Sequence, residues 1–196
     1  MKNKFILGLL LIPALLFVAC GDDDGADETP EEVSAIVGTW VLAEDAGLAV
    51  GPASGDGSWW TAGTDIAAGR ACLYDDTYEF TADGNLIISM GSETWLESWQ
   101  GTDPEACGAP VAPHTSGTYT YEYDESTTEL VLSGAGAFIG LPKATNAGEL
   151  STGATQPSSR TYTVFSINET SAQIRINTGV NSNGDEVHWT FRLTKQ

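Results

Sequence analysis

The chain has 196 residues with 27 acidic and 8 basic side chains, and its formal net charge is −19. A surface this negative repels phosphate groups, so the composition argues against nucleic acid as a partner and against membrane contact through the folded part. About 160 residues follow the N-terminal segment, enough for one domain with a substantial hydrophobic core.

The N-terminus resembles a bacterial lipoprotein signal. Lys2 and Lys4 precede an apolar run over residues 5–19, and Cys20 follows it directly. The run is shorter than the roughly 20 residues that span a bilayer, and Pro13 interrupts it, which favours a signal peptide over a transmembrane anchor.

This resemblance implies that the signal peptide, residues 1–19, is removed and that Cys20 is lipidated. The mature chain would then contact the membrane only through its acyl chains. Loss of the two signal lysines would leave 6 basic residues against 27 acidic ones and change the formal charge from −19 to −21.

Residues 20–33 are predicted to form a flexible tether. Their sequence is rich in Asp and Glu and contains no large apolar side chain before Val33, so it has little to bury. The run Asp22-Asp23-Asp24 after the cysteine is similar to acidic export tags in lipoproteins of glycan-degrading bacteria. That similarity implies a place in the outer membrane, exposed at the cell surface.

Residues 34–196 show a period-two alternation of apolar and polar side chains, which predicts an all-β domain. The eight predicted strands cover residues 36–43, 77–80, 86–90, 118–123, 129–132, 161–167, 172–176 and 187–194. In the last strand, Trp189 and Phe191 alternate inward and His188 outward. We expect an antiparallel meander that closes into an eight-stranded, lipocalin-like barrel or forms a closely related sandwich.

The predicted strands are joined by two kinds of connection. Polar turns at residues 82–85, 124–127 and 168–170 are typical of tight hairpins. The three alternate connections are loops of roughly 25 to 30 residues, a length that usually indicates a functional role. In an antiparallel meander all three long loops lie at one end, and we predict that this end binds a ligand.

Cys72 lies in the first long loop and Cys107 in the second, so a disulfide would tie the two loops together. A loop of this length gives about 4 kcal/mol in the chain-entropy model. The only histidines, His114 and His188, have no ligand spacing to a cysteine, so no metal cofactor is expected.

Four of the six tryptophans lie in the long loops, among acidic and hydroxyl side chains. Indole rings stack on the apolar faces of sugars, and carboxylates accept hydrogen bonds from sugar hydroxyls. The alternative is that one tryptophan of each pair plugs the mouth of the barrel. The predicted carbohydrate-binding residues are Trp59, Trp60, Tyr74, Asp75, Asp76, Trp95, Glu97 and Trp99.

The pair Asp75-Asp76 has two other interpretations. One carboxylate can accept backbone amides where the second predicted strand begins. Calcium is the other alternative, because the surroundings are acidic.

Gly38-Thr39-Trp40 resembles the Gly-x-Trp motif in the first strand of lipocalin-like proteins. Together with residues 51–63, 73–84 and 132–140, it resembles a module of surface glycan-binding lipoproteins from polysaccharide-utilising bacteria. This resemblance implies a polysaccharide ligand, such as β-glucan, and an outer-membrane glycan transporter or a glycoside hydrolase as partner. The glycine-rich part of 132–140 indicates a sharp bend or a close backbone approach.

The sequence gives little support for catalysis. Acidic residues are too numerous to single out a catalytic pair, and no nucleophile motif is present, so we expect no enzymatic activity. One alternative function is a carrier of a small apolar ligand inside the barrel, which large inward residues disfavour. Those residues are Trp40, Phe80, Tyr119, Tyr121, Trp189 and Phe191. The other alternative is a surface lipoprotein that docks a protein.

Overall fold

The computed structural model describes residues 33–54 and 57–196. The predicted signal peptide, Cys20 and the tether before Val33 lie outside the described residues, so those assignments stay predictions. Residues Val33–Gln196 form one unit. None of the helices in the described part of the chain is long and apolar enough to cross a membrane.

The unit is built almost entirely from strands. In chain order these are β1 (Gly38–Leu42), β2 (Leu48–Gly51), β3 (Trp60–Thr61), β4 (Thr77–Phe80), β5 (Asn85–Ser89), β6 (Thr94–Leu96), β7 (Ala106–Gly108), β8 (Gly117–Asp124), β9 (Glu129–Ser133), β10 (Ala144–Thr145), β11 (Gly148–Glu149), β12 (Ser159–Ile167), β13 (Ser171–Val180) and β14 (Glu186–Lys195). The helices are α1 (Thr64–Gly69), α2 (Ala71–Tyr74) and one 3-10 turn, Ser98–Gln100.

Eight of these strands close into an antiparallel barrel. They pair in the order β1, β4, β5, β8, β9, β12, β13, β14, and β14 pairs back with β1. Closure removes the free edges that these eight strands would otherwise expose to aggregation. The predicted all-β class and eight-stranded lipocalin-like barrel are confirmed, and the eight predicted strands correspond to these eight.

Strand β14 is long enough to pair with two strands on the same side. Its C-terminal half pairs with β1, where Leu193 faces Leu42, and its N-terminal half pairs with β2, where Trp189 faces Val50. Strand β3 then pairs with β2. The β2–β3 hairpin therefore extends the sheet beyond the closed barrel.

The barrel interior is filled by the side chains that alternate inward, as predicted for large residues. Fully buried inward side chains include Trp40, Leu42, Tyr78, Phe80, Leu86, Ile88, Leu130, Leu132, Tyr162, Val164, Ile174, Ile176, Phe191 and Leu193. Tyr119 and Tyr121 of β8 are half-buried against this core.

A segment of the third long loop, residues 136–142, packs into the core as a plug. Phe138 and Ile139 are 2% and 0% exposed. The plug is anchored to tyrosines of the inner wall: the amide of Gly140 donates to the Tyr78 hydroxyl at 3.0 Å, and that of Ile139 donates to the Tyr162 hydroxyl at 3.2 Å. Space that an apolar ligand would need is thus occupied by the chain itself.

The predicted close approach of the glycine-rich segment is also found. Gly140 has φ +68°, and a Cβ at this position would lie 2.2 Å from a ring carbon of Phe191. At Gly136 a Cβ would lie 2.2 Å from the carbonyl oxygen of Pro113. Only glycine fits at either position without displacing its neighbours.

Arg160 binds the backbone of the plug. Its side chain is fully buried, and its guanidinium donates to the carbonyl oxygens of Ala137 at 2.6 Å, Pro142 at 3.1 Å and Ala144 at 3.3 Å. Burial lowers the pKa of Arg160. The planar group with its several donors matches a curved loop of carbonyls, which a lysine would not.

The three long connections, residues 43–76, 90–116 and 134–158, all leave from the same end of the barrel. We call this the loop end. The opposite end carries the short hairpin turns at 81–84, 125–128 and 168–170. The predicted division of the connections between the two ends is confirmed.

Candidate functional site

A disulfide between Cys72 and Cys107 joins the first two long loops, as predicted. Cys72 lies on α2 and Cys107 on β7, directly across the β6–β7 ladder from Trp95. The bond therefore holds α2 and the hairpin of Trp95 together at the loop end. A cross-link of this kind reduces the entropy that the loops would lose on binding a ligand.

The first tryptophan pair is divided between solvent and core. Trp59 is 44% exposed, whereas Trp60 is half-buried and packs edge-on against Trp189, with ring centroids 6.3 Å apart. Trp60 thus covers the mouth of the barrel beside Trp189, and Trp59 faces outward. Trp60 therefore fits the alternative that one tryptophan of each pair plugs the mouth of the barrel, whereas Trp59 does not.

Trp95 is half-buried beside a cation. The guanidinium of Arg70 lies 4.3 Å from the centroid of its ring, and Arg70 forms an ion pair with Glu105 at 3.7 Å. The contact covers part of the indole and fixes its orientation. The Trp95 Nε1 atom is buried and has no hydrogen-bond partner among the described residues.

Trp99 is half-buried above a histidine. Its Nε1 donates to Glu97 Oε2 at 2.9 Å, and its ring meets that of His114 edge-on at 5.7 Å. His114 lies 3.3 Å from the Arg160 guanidinium. Burial first, and then the charge of Arg160, lowers the pKa of His114 to about 4, so the imidazole is neutral at neutral pH.

Lys143 of the third loop links Trp99 to Trp189, since it contacts the Trp189 ring and the carboxylate that binds Trp99. Its Nζ lies 3.3 Å from Glu97 Oε1 and 3.6 Å from Glu149 Oε2, and 4.8 Å from the centroid of the Trp189 ring. The Trp189 Nε1 donates to Glu149 Oε1 at 2.6 Å. Because Trp60 of the first loop packs on Trp189, all three long loops meet in one network of charges and indoles.

Two of the predicted residues line a cavity beside the helices. The cavity has a volume of about 320 Å³ and is bounded by α1, α2 and the turn after β1. Tyr74 and Asp75 line it together with Glu44 and Thr64, over a floor of alanines. Burial raises the pKa of Tyr74, and its hydroxyl has no partner among the described residues. An aromatic ring beside two carboxylates is a suitable setting for a sugar.

Asp76 and Glu97 are placed differently from the prediction, because both are buried. Asp76 is 0% exposed, and its Oδ2 accepts a hydrogen bond from Thr94 Oγ1 at 2.7 Å rather than from backbone amides. Burial raises the pKa of Asp76 to about 7. Glu97 is 2% exposed and binds Lys143 and Trp99, while burial raises its pKa. Both carboxylates hold the loops together instead of facing solvent.

The calcium alternative gains no support. Over residues 33–54 and 57–196, no group of three or more His, Cys, Asp and Glu side chains is arranged to hold a metal ion. Asp75 faces solvent, whereas the neighbouring Asp76 faces the interior.

Sequence reasoning missed Lys143, Glu149 and Trp189 as parts of the site. The alternation along β14 gives the inward direction of Trp189, but Lys143 and Glu149 lie in a loop with no periodic pattern. Their meeting depends on the path of the plug, which no local signal specifies.

Comparison of the chain with protein-family models found no match, and a search of curated proteins found no significant match either.

Proposed function

We propose that the protein is a lipid-anchored lipoprotein of the outer membrane, exposed at the cell surface, that binds a polysaccharide without catalysing a reaction on it. β-Glucan is the first candidate ligand. The partner proteins would be an outer-membrane glycan transporter or a glycoside hydrolase, and the membrane would be contacted only through lipid on Cys20.

The observation that carries the proposal is the gathering of aromatic side chains at one end of the barrel. Trp59 is 44% exposed, Trp60, Trp95 and Trp99 are half-buried, and Tyr74 lines an open cavity. Three of these rings are fixed by a contact with a charged or aromatic neighbour: Trp60 by Trp189, Trp95 by Arg70 and Trp99 by His114. Rings that are already ordered lose little entropy when a sugar stacks on them.

The filled interior argues against the carrier alternative. Phe138 and Ile139 of the plug occupy the core, and inward side chains such as Trp40 and Phe191 are buried to 2% exposure or less. An apolar ligand would have to displace the plug and break its bonds to Tyr78 and Tyr162. A ligand at the loop end needs no such rearrangement.

Affinity electrophoresis of the full chain in detergent, through gels that contain β-glucan, mannan or starch, tests the proposal. We expect retardation by one of these glycans, with β-glucan the strongest. Trp59→Ala should weaken that binding by roughly 2- to 10-fold, the range expected for one aromatic contact. Trp59→Phe, which keeps an aromatic face, is the matched control and should retain most of the binding.

Free migration of the wild-type chain in all three gels would reject the proposal and favour protein docking at the same surface. Fatty acid that stays bound through purification would instead favour the carrier. Equal retardation of the wild-type chain and Trp59→Ala would move the glycan away from this part of the loop end.

A further inference from the structure

A second cavity lies on the outer wall of the barrel, away from the tryptophans. It is an open groove of about 390 Å³ over β12, β13 and β14. Small-molecule sites have volumes of about 300–1,000 Å³. Thr161, Thr163 and Phe165 follow one another along its β12 side, and Asn177 and His188 lie on its other strands.

An exposed aromatic ring lies in this groove at a β-bulge of the sheet. The register between β12 and β13 shifts between Val164 and Ser166, which makes Phe165 the extra residue of a bulge. Bulges commonly re-aim a side chain next to a functional site. Phe165 is 58% exposed, although a phenyl ring on a barrel wall gains nothing from contact with water.

The Phe165 ring is held in place by Arg175. The guanidinium carbon of Arg175 lies 3.5 Å from the ring centroid, and Arg175 itself is 7% exposed. One face of the phenyl ring is therefore covered by a buried side chain, and the other is left toward solvent. A ring fixed in this way loses little entropy when it stacks on the apolar face of a ligand.

The rest of the groove supplies groups that hydrogen-bond to hydroxyls. The Thr163 hydroxyl and the side-chain amide nitrogen of Asn177 make no hydrogen bond with another described residue. Both types of group bond readily to sugar hydroxyls. From Thr161 to Phe165 the strand rises about 13 Å, which is room for more than one sugar ring.

Two loops of the loop end border the groove. Ala53 belongs to the connection that leads to Trp59, and Asn146 belongs to the β10–β11 hairpin beside Lys143 and Glu149. The Asn146 side chain accepts from the Thr161 amide at 2.8 Å and donates to the Thr161 carbonyl at 2.9 Å, which fixes the hairpin against β12. The groove therefore begins beside two of the connections that form the loop end.

We propose that this groove is a second carbohydrate subsite, which takes sugar rings of the same polysaccharide by stacking on Phe165 and hydrogen bonding to Thr163 and Asn177. The inference rests on the proposed polysaccharide-binding function. It adds a path for the polysaccharide, which would run from the tryptophans across the edge of the barrel to its outer wall. A polymer that contacts both places would bind more tightly than either contact alone allows.

Titration calorimetry of the full chain in detergent with soluble β-glucan tests the subsite. Phe165→Ala should weaken binding by roughly 3- to 10-fold, since it removes one stacking contact. Thr163→Val keeps the shape of its side chain but loses the hydroxyl, and it should weaken binding by about 3-fold. Val180→Ser, which changes an even more exposed apolar residue of β13 outside the groove, should bind as the wild-type chain does.

Phe165 is not part of the buried core, so the Phe165→Ala chain should lose only its contact with Arg175 and unfold at a urea concentration slightly below that of the wild-type chain. Wild-type affinity of both Phe165→Ala and Thr163→Val, with weaker binding by Trp59→Ala, would overturn the subsite and leave the proposed function standing. Absence of heat on titration of the wild-type chain would overturn both.

Discussion

Replacement of Asp76 by asparagine should stabilise the protein at alkaline pH but leave its stability nearly unchanged in acid. Asp76 is 0% exposed, and its only hydrogen bond among the described residues comes from Thr94. The second carboxylate oxygen has no partner in that part of the chain. An ionised carboxylate is unfavourable in such surroundings, which is why burial raises its pKa.

The size of the effect follows from that pKa. It rises from 3.8 to about 7, a difference that corresponds to roughly 4 kcal/mol. Between these two values the folded chain keeps a proton that the unfolded chain has lost, so stability falls as the pH rises. Below pH 3.8 both forms are protonated and burial carries no electrostatic cost. Above about pH 7 both are ionised and the full cost remains.

Urea unfolding of the wild-type and Asp76→Asn chains at pH 4 and pH 8.5 measures this difference. Asparagine cannot ionise but still accepts the Thr94 hydrogen bond, so the variant should gain up to about 4 kcal/mol over the wild-type chain between the two pH values. Asp45→Asn, at an exposed position, is the matched control and should gain little. An equal stability difference for Asp76→Asn at both pH values would refute the argument.

Three further variants test the packing of the loop end. The chain with both Cys72 and Cys107 replaced by serine should lose about 4 kcal/mol, since the disulfide spans 35 residues, and reductant should then have no further effect on its urea unfolding. Gly140→Ala should lose about 3 kcal/mol, because its Cβ would collide with Phe191; a melting temperature equal to that of the wild-type chain would contradict this. Arg160→Lys should lose about 2 kcal/mol, because it leaves buried carbonyls unpaired; calorimetry that shows no loss would argue that Arg160 does not stabilise the plug.

The barrel was predictable because strand periodicity is a local signal. The alternation of Trp189 and Phe191 with polar neighbours defines the inner face of β14 without knowledge of the rest of the fold. The position of the three long loops at one end then follows from antiparallel order alone. The disulfide followed from the presence of one cysteine in each of two neighbouring loops.

The contents of the long loops were not predictable in the same way. Strands β2 and β3 and helices α1 and α2 are six residues long or shorter, so neither period is repeated often enough to be seen. Their conformation depends on tertiary contacts, such as the pairing of β2 with the N-terminal half of β14. A loop residue such as Lys143 meets Glu97 only because the plug brings the third loop over the barrel.

Burial also separates the predicted carboxylates into two groups. From the sequence, Asp75, Asp76 and Glu97 are equivalent acidic loop residues near aromatic ones. In the structure only Asp75 faces solvent, while Asp76 and Glu97 point inward. Arg160, in contrast, is a charged residue whose burial the sequence did not indicate. The predicted strand begins at residue 161, one position too late to include Arg160 on the inner face that it shares with Tyr162.

Tryptophan fluorescence during titration with glycan tests the central claim most directly, since that claim is contact between sugar and the indole of Trp59. Addition of β-glucan should shift the emission of the wild-type chain to shorter wavelength and saturate with the same affinity as calorimetry gives. The shift should be clearly smaller in Trp59→Phe, which still binds the glycan but lacks the most exposed indole. Glycan binding with no emission change, or an equal change in Trp59→Phe, would contradict the account.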